Sequence, residues 1–298
     1  MTETGHRSGF VGIIGPPNVG KSTLLNRLLD QKIAITSDKP QTTRHRILGV
    51  LTEPEAQIIF FDTPGLHQGP GLLNRHMTAR ALSVLPDVDL VLFMVEPGRL
   101  EEEVRLATET LREQERTVIL VINKIDRIQK EKLLPLMDRF SRELPLAAIV
   151  PISALTGENL GGLLEAIKAL LPVGPQYYPP DTVTDQPERF IAAEMIREQV
   201  FRLTGQEIPY STAVTVEAFK EDRPDLIRIQ AVIHVERPSQ KGIIIGRQGQ
   251  KIKQIGTAAR KEIERLTGTN VFLELFVRVQ KNWSKDPKAL RRFGYEQE

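Results

Sequence analysis

Cysteine is absent from all 298 residues, which excludes disulfides, thiolate nucleophiles and a cysteine-ligated zinc. Long apolar runs are absent too. The most apolar stretch, VDLVLFMV at 88–95, is far shorter than the roughly 20 residues a membrane span needs. The first ten residues, MTETGHRSGF, lack the apolar core of a signal peptide. There is no internal repeat and no low-complexity tract. Hydrophobic residues make up 40% and charged ones 26%, the balance of a globular chain. A cytoplasmic protein of one large or two ordinary domains is expected.

Charge is present but unevenly placed. The formal net charge is +2, yet residues 237–292 hold 14 Lys/Arg against four acids, a local balance of +10 on a remainder of −8. A basic segment on an acidic remainder points to a polyanion at the C-terminal end; solvated helix faces are the plainer alternative.

Apolar runs at 9–15, 56–62, 89–95, 117–123 and 146–153 alternate with amphipathic helical patterns near 20–30, 71–85, 100–114, 130–143 and 158–171. That alternation predicts βαβ units and a doubly wound, mostly parallel sheet. The run 45–53 is joined to 56–62 by a short turn, so a sixth strand should lie antiparallel at an edge. Five prolines in 170–188 break the pattern and mark a boundary. The expected division is a first domain over 1–174, a linker over 175–184 and a second domain over 185–298. The second domain reads α-β-β-α-α-β, with helices on both sides of GIIIGRQGQ (242–250).

Gly15-Pro16-Pro17-Asn18-Val19-Gly20-Lys21-Ser22 has P-loop spacing between a strand pattern and a helix pattern, the context that motif requires. The loop backbone, through Thr23, can wrap phosphates; Lys21 can reach β- and γ-oxygens, and Ser22 can ligate Mg²⁺. Asn123-Lys124-Ile125-Asp126 closes a later strand pattern, where α/β sheets bind ligands. The Asp126 carboxylate matches the N1–H and 2-amino donors of guanine, and Asn123 matches its Hoogsteen edge. Adenine would leave Asp126 unpaired, a mismatch of roughly 10⁴-fold in well-attested cases. Ser153-Ala154-Leu155 ends the next strand, where a backbone N–H can reach guanine O6. Asp62-Thr63-Pro64-Gly65 ends the third strand: Asp62 can hold Mg²⁺ through a water, and the Gly65 N–H can sense the γ-phosphate. A threonine of Gln41-Thr42-Thr43-Arg44 can close over Mg²⁺ only while that phosphate is present; Thr43 is favoured and Thr42 stays open. His45, His67 and His76 lie nearby and read as surface or packing residues, and no second catalytic constellation is present.

Five GTPase motifs in order, with QTTRHRI in the first switch and YYPPDTVTDQPERFIAAE after the nucleotide domain, resemble the Era family of bacterial GTPases. The single P-loop separates the chain from GTPases with two such domains. Leu66 stands where Ras-type GTPases carry a water-orienting glutamine, so unaided hydrolysis should be slow. Asn18 matches the asparagine that holds potassium in similar leucine-bearing GTPases; the alternative is that it only shapes the loop. Lys21, Thr43, Gly65 and Asn18 are thus the expected catalytic group, with Mg²⁺ as cofactor, K⁺ as a further candidate and GTP as substrate.

Gly246-Arg247-Gln248-Gly249 lacks the Lys-Ser ending of a P-loop. In its α-β-β-α-α-β setting it resembles the GXXG of a type II KH domain, which clamps the backbone of about four nucleotides. Arg247, Lys251 and Lys253 can track phosphates, while Ile244, Ile245, Ile252 and Ile255 either floor a base groove or enter the core. Trp283 either stacks on a base or caps the core. Lys281 and Arg291 would extend the site along the basic tail. The fold expected is therefore an α/β P-loop GTPase domain, with a mostly parallel six-stranded sheet and one antiparallel edge strand, followed by an α+β type II KH domain. What the family resemblance implies is a GTP-hydrolysing switch on the 3′ end of 16S rRNA that assists 30S subunit maturation. It also implies a possible peripheral membrane contact and no DNA partner. The competing expectation is a GTPase whose KH-like domain docks protein.

Overall fold

The computed structural model describes residues 5–66, 72–98, 101–113, 116–205 and 207–295, without the side chains of 101–103, 106 and 222. It divides into two compact units. The first comprises Met1–Ala34, Thr43–Pro70 and Met77–Asp185; the second comprises Ile35–Thr42, Gly71–His76 and Gln186–Glu298.

In the first unit, chain order runs β1 (Arg7–Ile14), α1 (Lys21–Leu28), β2 (Ile47–Glu53), β3 (Ala56–Asp62), α2 (Leu72–Leu82), β4 (Leu90–Val95), α3 (Glu101–Arg112), β5 (Thr117–Ile122), α4 (Leu133–Glu143), β6 (Ala148–Pro151) and α5 (Leu160–Leu170). The sheet order is β2-β3-β1-β4-β5-β6, and β2 runs antiparallel at the edge while the other pairs are parallel. Alternation along each strand feeds two cores. Leu90, Leu92 and Met94 of β4 join Leu24, Leu25, Leu163 and Ile167 on one face. Val91, Phe93 and Val95 join Ala81, Ala107, Leu111 and Phe140 on the other. Each of the larger side chains among them contributes about 1.5–3 kcal/mol by burial. The parallel strands bring the ends of β1, β3, β5 and β6 to one edge of the sheet, and the four motif loops leave from there.

The proline-rich segment expected as a linker is counted in this first unit and lies against β2 and β3. Gln57, a buried polar residue of β3, accepts from the N–H groups of Tyr177 and Tyr178 at 2.7 and 2.9 Å and donates to the Tyr178 carbonyl at 2.8 Å. Val50 donates to the Val183 carbonyl at 2.8 Å, and the Thr184 hydroxyl donates to the Leu48 carbonyl at 2.6 Å. The segment thus satisfies groups of an edge strand that would otherwise stand open.

The second unit runs α6 (Glu188–Leu203), β7 (Ala213–Arg223), β8 (Leu226–Val235), α7 (Pro238–Ile245), α8 (Gln250–Thr267) and β9 (Asn270–Val279). β8 is central, antiparallel to β7 and parallel to β9. Ile191, Ile196 and Val200 of α6 meet Ile255, Ala259 and Ile263 of α8 over Ile229, Ala231 and Ile233 of the sheet. A short helix absent from the expected order, α9 (Pro287–Arg292), follows. The Asp286 side chain caps it by accepting from the Lys288 N–H at 3.0 Å, and proline occupies its first turn. Beyond it Phe293 and Tyr295 fold back on Trp283, with ring centroids 5.3 and 5.7 Å away. Trp283 is 0% exposed and donates its indole N–H to the Ser211 carbonyl at 2.9 Å. Its place is therefore the core, and the base-stacking alternative falls away because both ring faces are covered.

His234 of β8 lies in the same cluster, 4.6 Å from the Phe293 ring. Burial, with Arg278 and Arg292 adding to it, pushes its pKa down to about 4. The unfolded chain, with an ordinary histidine pKa near 6.5, then binds a proton that the fold does not. Stability of this unit should be full above pH 6.5 and fall as pH drops towards about 4. Urea unfolding followed by the fluorescence of Trp283, the only tryptophan, checks this; His234→Gln should flatten the dependence across that window.

Candidate functional site

Backbone shape builds the first loop. Gly20 has φ +105, and a Cβ there would stand 2.3 Å from Asn123 Nδ2; a Cβ on Gly15 would stand 2.4 Å from the Met94 carbonyl oxygen. Asn18 also takes a left-handed conformation, φ 59. Helix α1 starts from Gly20 with no side chain capping its first N–H groups, the arrangement that favours an anion. Pro16, Pro17 and Val19 are buried. Lys21 is buried and folds over the loop, its ammonium donating to the carbonyls of Gly15 and Pro16 at 3.0 and 2.9 Å. Thr23 is half-buried on α1.

Three oxygens converge beside it. The Ser22 hydroxyl donates to Asp62 Oδ2 at 2.5 Å and lies 2.8 Å from Thr43 Oγ1. Asp62 is 0% exposed, and its Oδ1 has no hydrogen-bond partner. Burial raises the Asp62 pKa to about 6 against the lowering pull of Lys21. A buried carboxylate with an unsatisfied oxygen and two neighbouring hydroxyls fits a hard, oxygen-loving dication such as Mg²⁺. The Thr42 hydroxyl instead donates to the Lys39 carbonyl at 2.7 Å, so Thr43 is the threonine brought to this cluster. Gly65 sits against the loop: a Cβ would stand 2.6 Å from Pro17 N and Cα. Leu66 donates its N–H to the Gly15 carbonyl at 3.1 Å, but its side chain is core. His45 is buried with its Nδ1 3.2 Å from Arg80 Nη1; His67 lies outside the described residues.

The remaining motif loops surround the same edge. Asn123 is buried: its Nδ2 donates to the Val19 carbonyl at 2.7 Å and its Oδ1 accepts from the Ala154 N–H at 2.9 Å. It ties the P-loop to the 153–155 loop and keeps one amide proton outside these two bonds. Lys124, at φ 64, donates to the Asn18 carbonyl at 2.8 Å and pairs with Glu96. Asp126 is exposed; the Ser153 hydroxyl donates to its Oδ1 at 2.6 Å. Leu155 stands 67% exposed beside it. Sequence reasoning missed Glu96 and Arg27, whose guanidinium donates to the Leu155 and Thr156 carbonyls at 3.3 and 3.1 Å. Neither lies in a motif, though Glu96 directly follows β4 at the motif-bearing edge.

In the second unit, α7 ends at a turn made of Gly246 (φ 73), Gln248 (φ 51) and Gly249 (φ 75), and Gly249 opens α8 without a side-chain cap. A Cβ on Gly246 would lie 2.6 Å from the Lys251 Cβ. Arg247, Gln248 and Lys253 are exposed and Lys251 is half-buried. Ile244 and Ile255 are core residues at 0% exposure, so neither floors a groove, while Ile245 and Ile252 are half-buried. The exposed isoleucine is Ile243. Helical spacing could have found it, because Gln240 and Ile244, four apart, mark the inward face. Lys281 and Arg291 are exposed.

Residues 10–124 match the family described as 50S ribosome-binding GTPase, and residues 207–284 match the KH domain. Over 99% of its length the chain is 55% identical to GTPase Era of Geotalea daltonii, all of which is covered. The chain belongs to the Era family of GTPases. It superposes with TM-score 0.94 and 42% identity, over 98% of this chain and all of the other, on the crystal structure of Era in complex with MgGDPNP and nucleotides 1506–1542 of 16S ribosomal RNA. An Era variant of Aquifex aeolicus bound to GDP and AlF4⁻ gives the same coverage, identity and score. The P-loop GTPase fold with its mostly parallel six-stranded sheet, and the KH fold after it, are those of Era. As a family member the chain is a GTPase.

If Asp126 reads the base, Asp126→Asn replaces an acceptor with a donor opposite the 2-position. Guanine offers an amino donor there and xanthine a carbonyl acceptor. GTP affinity should fall about 10- to 100-fold and xanthosine triphosphate should bind in its place. Competition against a fluorescent GDP checks both.

Proposed function

We propose that this chain binds Mg²⁺ and GTP on the P-loop side, hydrolyses GTP slowly, and in its GTP state holds the 3′ end of 16S rRNA on the GXXG turn. The assembly role would be 30S subunit maturation. The observation that carries the reading is the cluster of Ser22, Thr43 and Asp62 oxygens beside an uncapped helix start. The GXXG turn opens a second uncapped helix in the same chain, and the Era of known structure binds 16S rRNA nucleotides.

In this reading the loop N–H groups through Thr23 wrap the phosphates, and Lys21 exchanges the Gly15 and Pro16 carbonyls for β- and γ-oxygens. Ser22 and Thr43 would hold the dication, with Asp62 holding its water shell, and Mg²⁺ would supply neutralisation of charge on the transferring phosphoryl. The Gly65 N–H meets the γ-phosphate. Ser153, Ala154 and Leu155 frame the guanine with Asn123, Lys124 and Asp126. Leu66 has no group to orient the attacking water. Asn18 would hold a potassium ion, whose positive charge would stabilise that of the phosphates.

Ile245, Gly246, Arg247, Gln248, Gly249, Lys251 and Lys253 form the RNA clamp, extended by Lys281 and Arg291. The proposed location is the cytoplasm, with a peripheral membrane contact; among the described residues no helix is long and apolar enough to cross a membrane.

A short single strand copied from the 3′ end of 16S rRNA should bind more tightly to protein loaded with a non-hydrolysable GTP analogue than with GDP. Binding should weaken steeply with salt and vanish in the Gly246→Asp/Gly249→Asp double variant. No binding in either state would move the second unit to protein docking. GTP turnover should be faster in potassium than in sodium buffer, and Asn18→Asp should alter that ratio; equal turnover in the two salts rejects the potassium site.

A further inference from the structure

The loop that follows β6 closes on itself. Ser153 donates its N–H to the Glu158 carbonyl at 3.1 Å, and the Gly157 N–H donates to the Ser153 carbonyl at 2.8 Å. Asn159 Nδ2 donates to the Pro151 carbonyl at 2.8 Å. Within that ring Ser153 is 0% exposed. Its hydroxyl has one proton to give and lone pairs to receive another. The Thr156 N–H donates to Oγ at 3.2 Å, and the hydroxyl proton goes to Asp126 Oδ1 at 2.6 Å.

Two carbonyls of the ring, those of Leu155 and Thr156, are taken by one cation. Arg27 Nη2 donates to them at 3.3 and 3.1 Å, and its guanidinium is always charged. Arg27 lies on α1, the helix that opens at the P-loop. The Leu155 carbonyl and the Thr156 N–H belong to one peptide unit, which is planar and stiff. Arg27 holds the oxygen end of that unit and Ser153 Oγ receives its N–H end. The next unit is held in the same way, from Arg27 at the Thr156 carbonyl to the Ser153 carbonyl at the Gly157 N–H. A chain of bonds thus runs from Arg27 through a rigid peptide to the Ser153 hydroxyl and on to the Asp126 carboxylate, each bond polarising the next.

Asp126 is exposed, and a carboxylate in water is free to rotate unless something holds it. To accept the N1–H and 2-amino protons of guanine together, its two oxygens must lie edge-on to the base. Ser153 fixes that rotation by holding one of them. We propose that Arg27 is a positioning residue for guanine recognition, acting through the 155–156 peptide and the Ser153 hydroxyl on the orientation of Asp126. The helix that begins at the phosphate loop thereby also braces the loop at the base. The inference rests on the reading of Asp126 as the residue that accepts from guanine.

The test measures dissociation constants of the full-length protein for GDP and for inosine diphosphate, which differ only in the 2-amino group. Arg27→Met keeps the side-chain stem and removes the donors; Arg27→Lys keeps a charged donor. The Met variant should lose roughly three- to tenfold in GDP affinity, the scale of one net hydrogen bond. Inosine diphosphate should lose less, so the preference for GDP shrinks, and Arg27→Lys should recover most of it. In a Ser153→Ala background, Arg27→Met should change the preference no further, because the two residues act in series. Equal losses for the two nucleotides overturn the proposal, as do an unchanged preference in Arg27→Met and additive effects in the double variant. If Ser153→Ala does not fold, the Arg27 pair decides alone. Asp126→Ala, run alongside, separates the two readings. A preference lost there but kept in Arg27→Met defeats only the positioning role, and a preference kept in Asp126→Ala defeats the base reading as well.

Discussion

Asp62 is a carboxylate with no access to water, one oxygen taken by Ser22 and the other left without a partner. Much of the first unit is arranged around that unpaired charge. The strand that ends on it, β3, is buried along its whole length and is flanked by β1 and β2, so the carboxylate has little freedom to reach solvent. Lys21 supplies a compensating positive charge and is itself held by loop carbonyls. Glycine is required around it because neighbours approach closely: the backbones of Pro17 and Met94 against Gly65 and Gly15, and the side-chain amide of Asn123 against Gly20. The site is thus a set of polar groups whose mutual satisfaction is incomplete without a bound cation and anion.

The two glycine loops solve one problem in two ways. Each frees the N–H groups at the start of a helix, α1 or α8, by placing a left-handed glycine where a side-chain cap would stand. The first is enclosed by three other motif loops and a buried carboxylate, which suits a compact, multiply charged ligand with a cation. The second is open, flanked by exposed Arg247, Gln248 and Lys253 and by the exposed Ile243, which suits a strand passing over it. An enclosed loop can gate on one phosphate more or less. An open one reads a backbone.

What was legible in the sequence is what depends on neighbours along the chain. P-loop spacing, the apolar strands that feed two cores and the left-handed GXXG are local patterns, and their order gave the sheet and the family. The rest depended on partners far away in sequence. The 175–184 segment reads as a linker until Gln57, about 120 residues earlier, is seen to grip it. Trp283 could be assigned to neither core nor surface until α9 folded Phe293 and Tyr295 over it. Ile244 and Ile243 are adjacent and chemically alike, and only the helix phase separates core from surface. Asn123 looks like a base reader in its motif, yet it also bridges two loops through its amide. The hold of Arg27 on the Leu155 and Thr156 carbonyls joins residues 128 and 129 positions apart, and no local pattern announces it.

The central claim is that one chain couples a nucleotide to an RNA strand. Coupling is reciprocal: if the GTP state favours RNA, RNA must favour GTP by the same factor, commonly about 5- to 150-fold. The most direct measurement is the affinity of the protein for a GTP analogue and for GDP, each with and without the saturating 16S rRNA 3′ strand. The account predicts that the strand tightens the analogue and leaves GDP unchanged or weaker. Identical shifts for both nucleotides, or none for either, would contradict it.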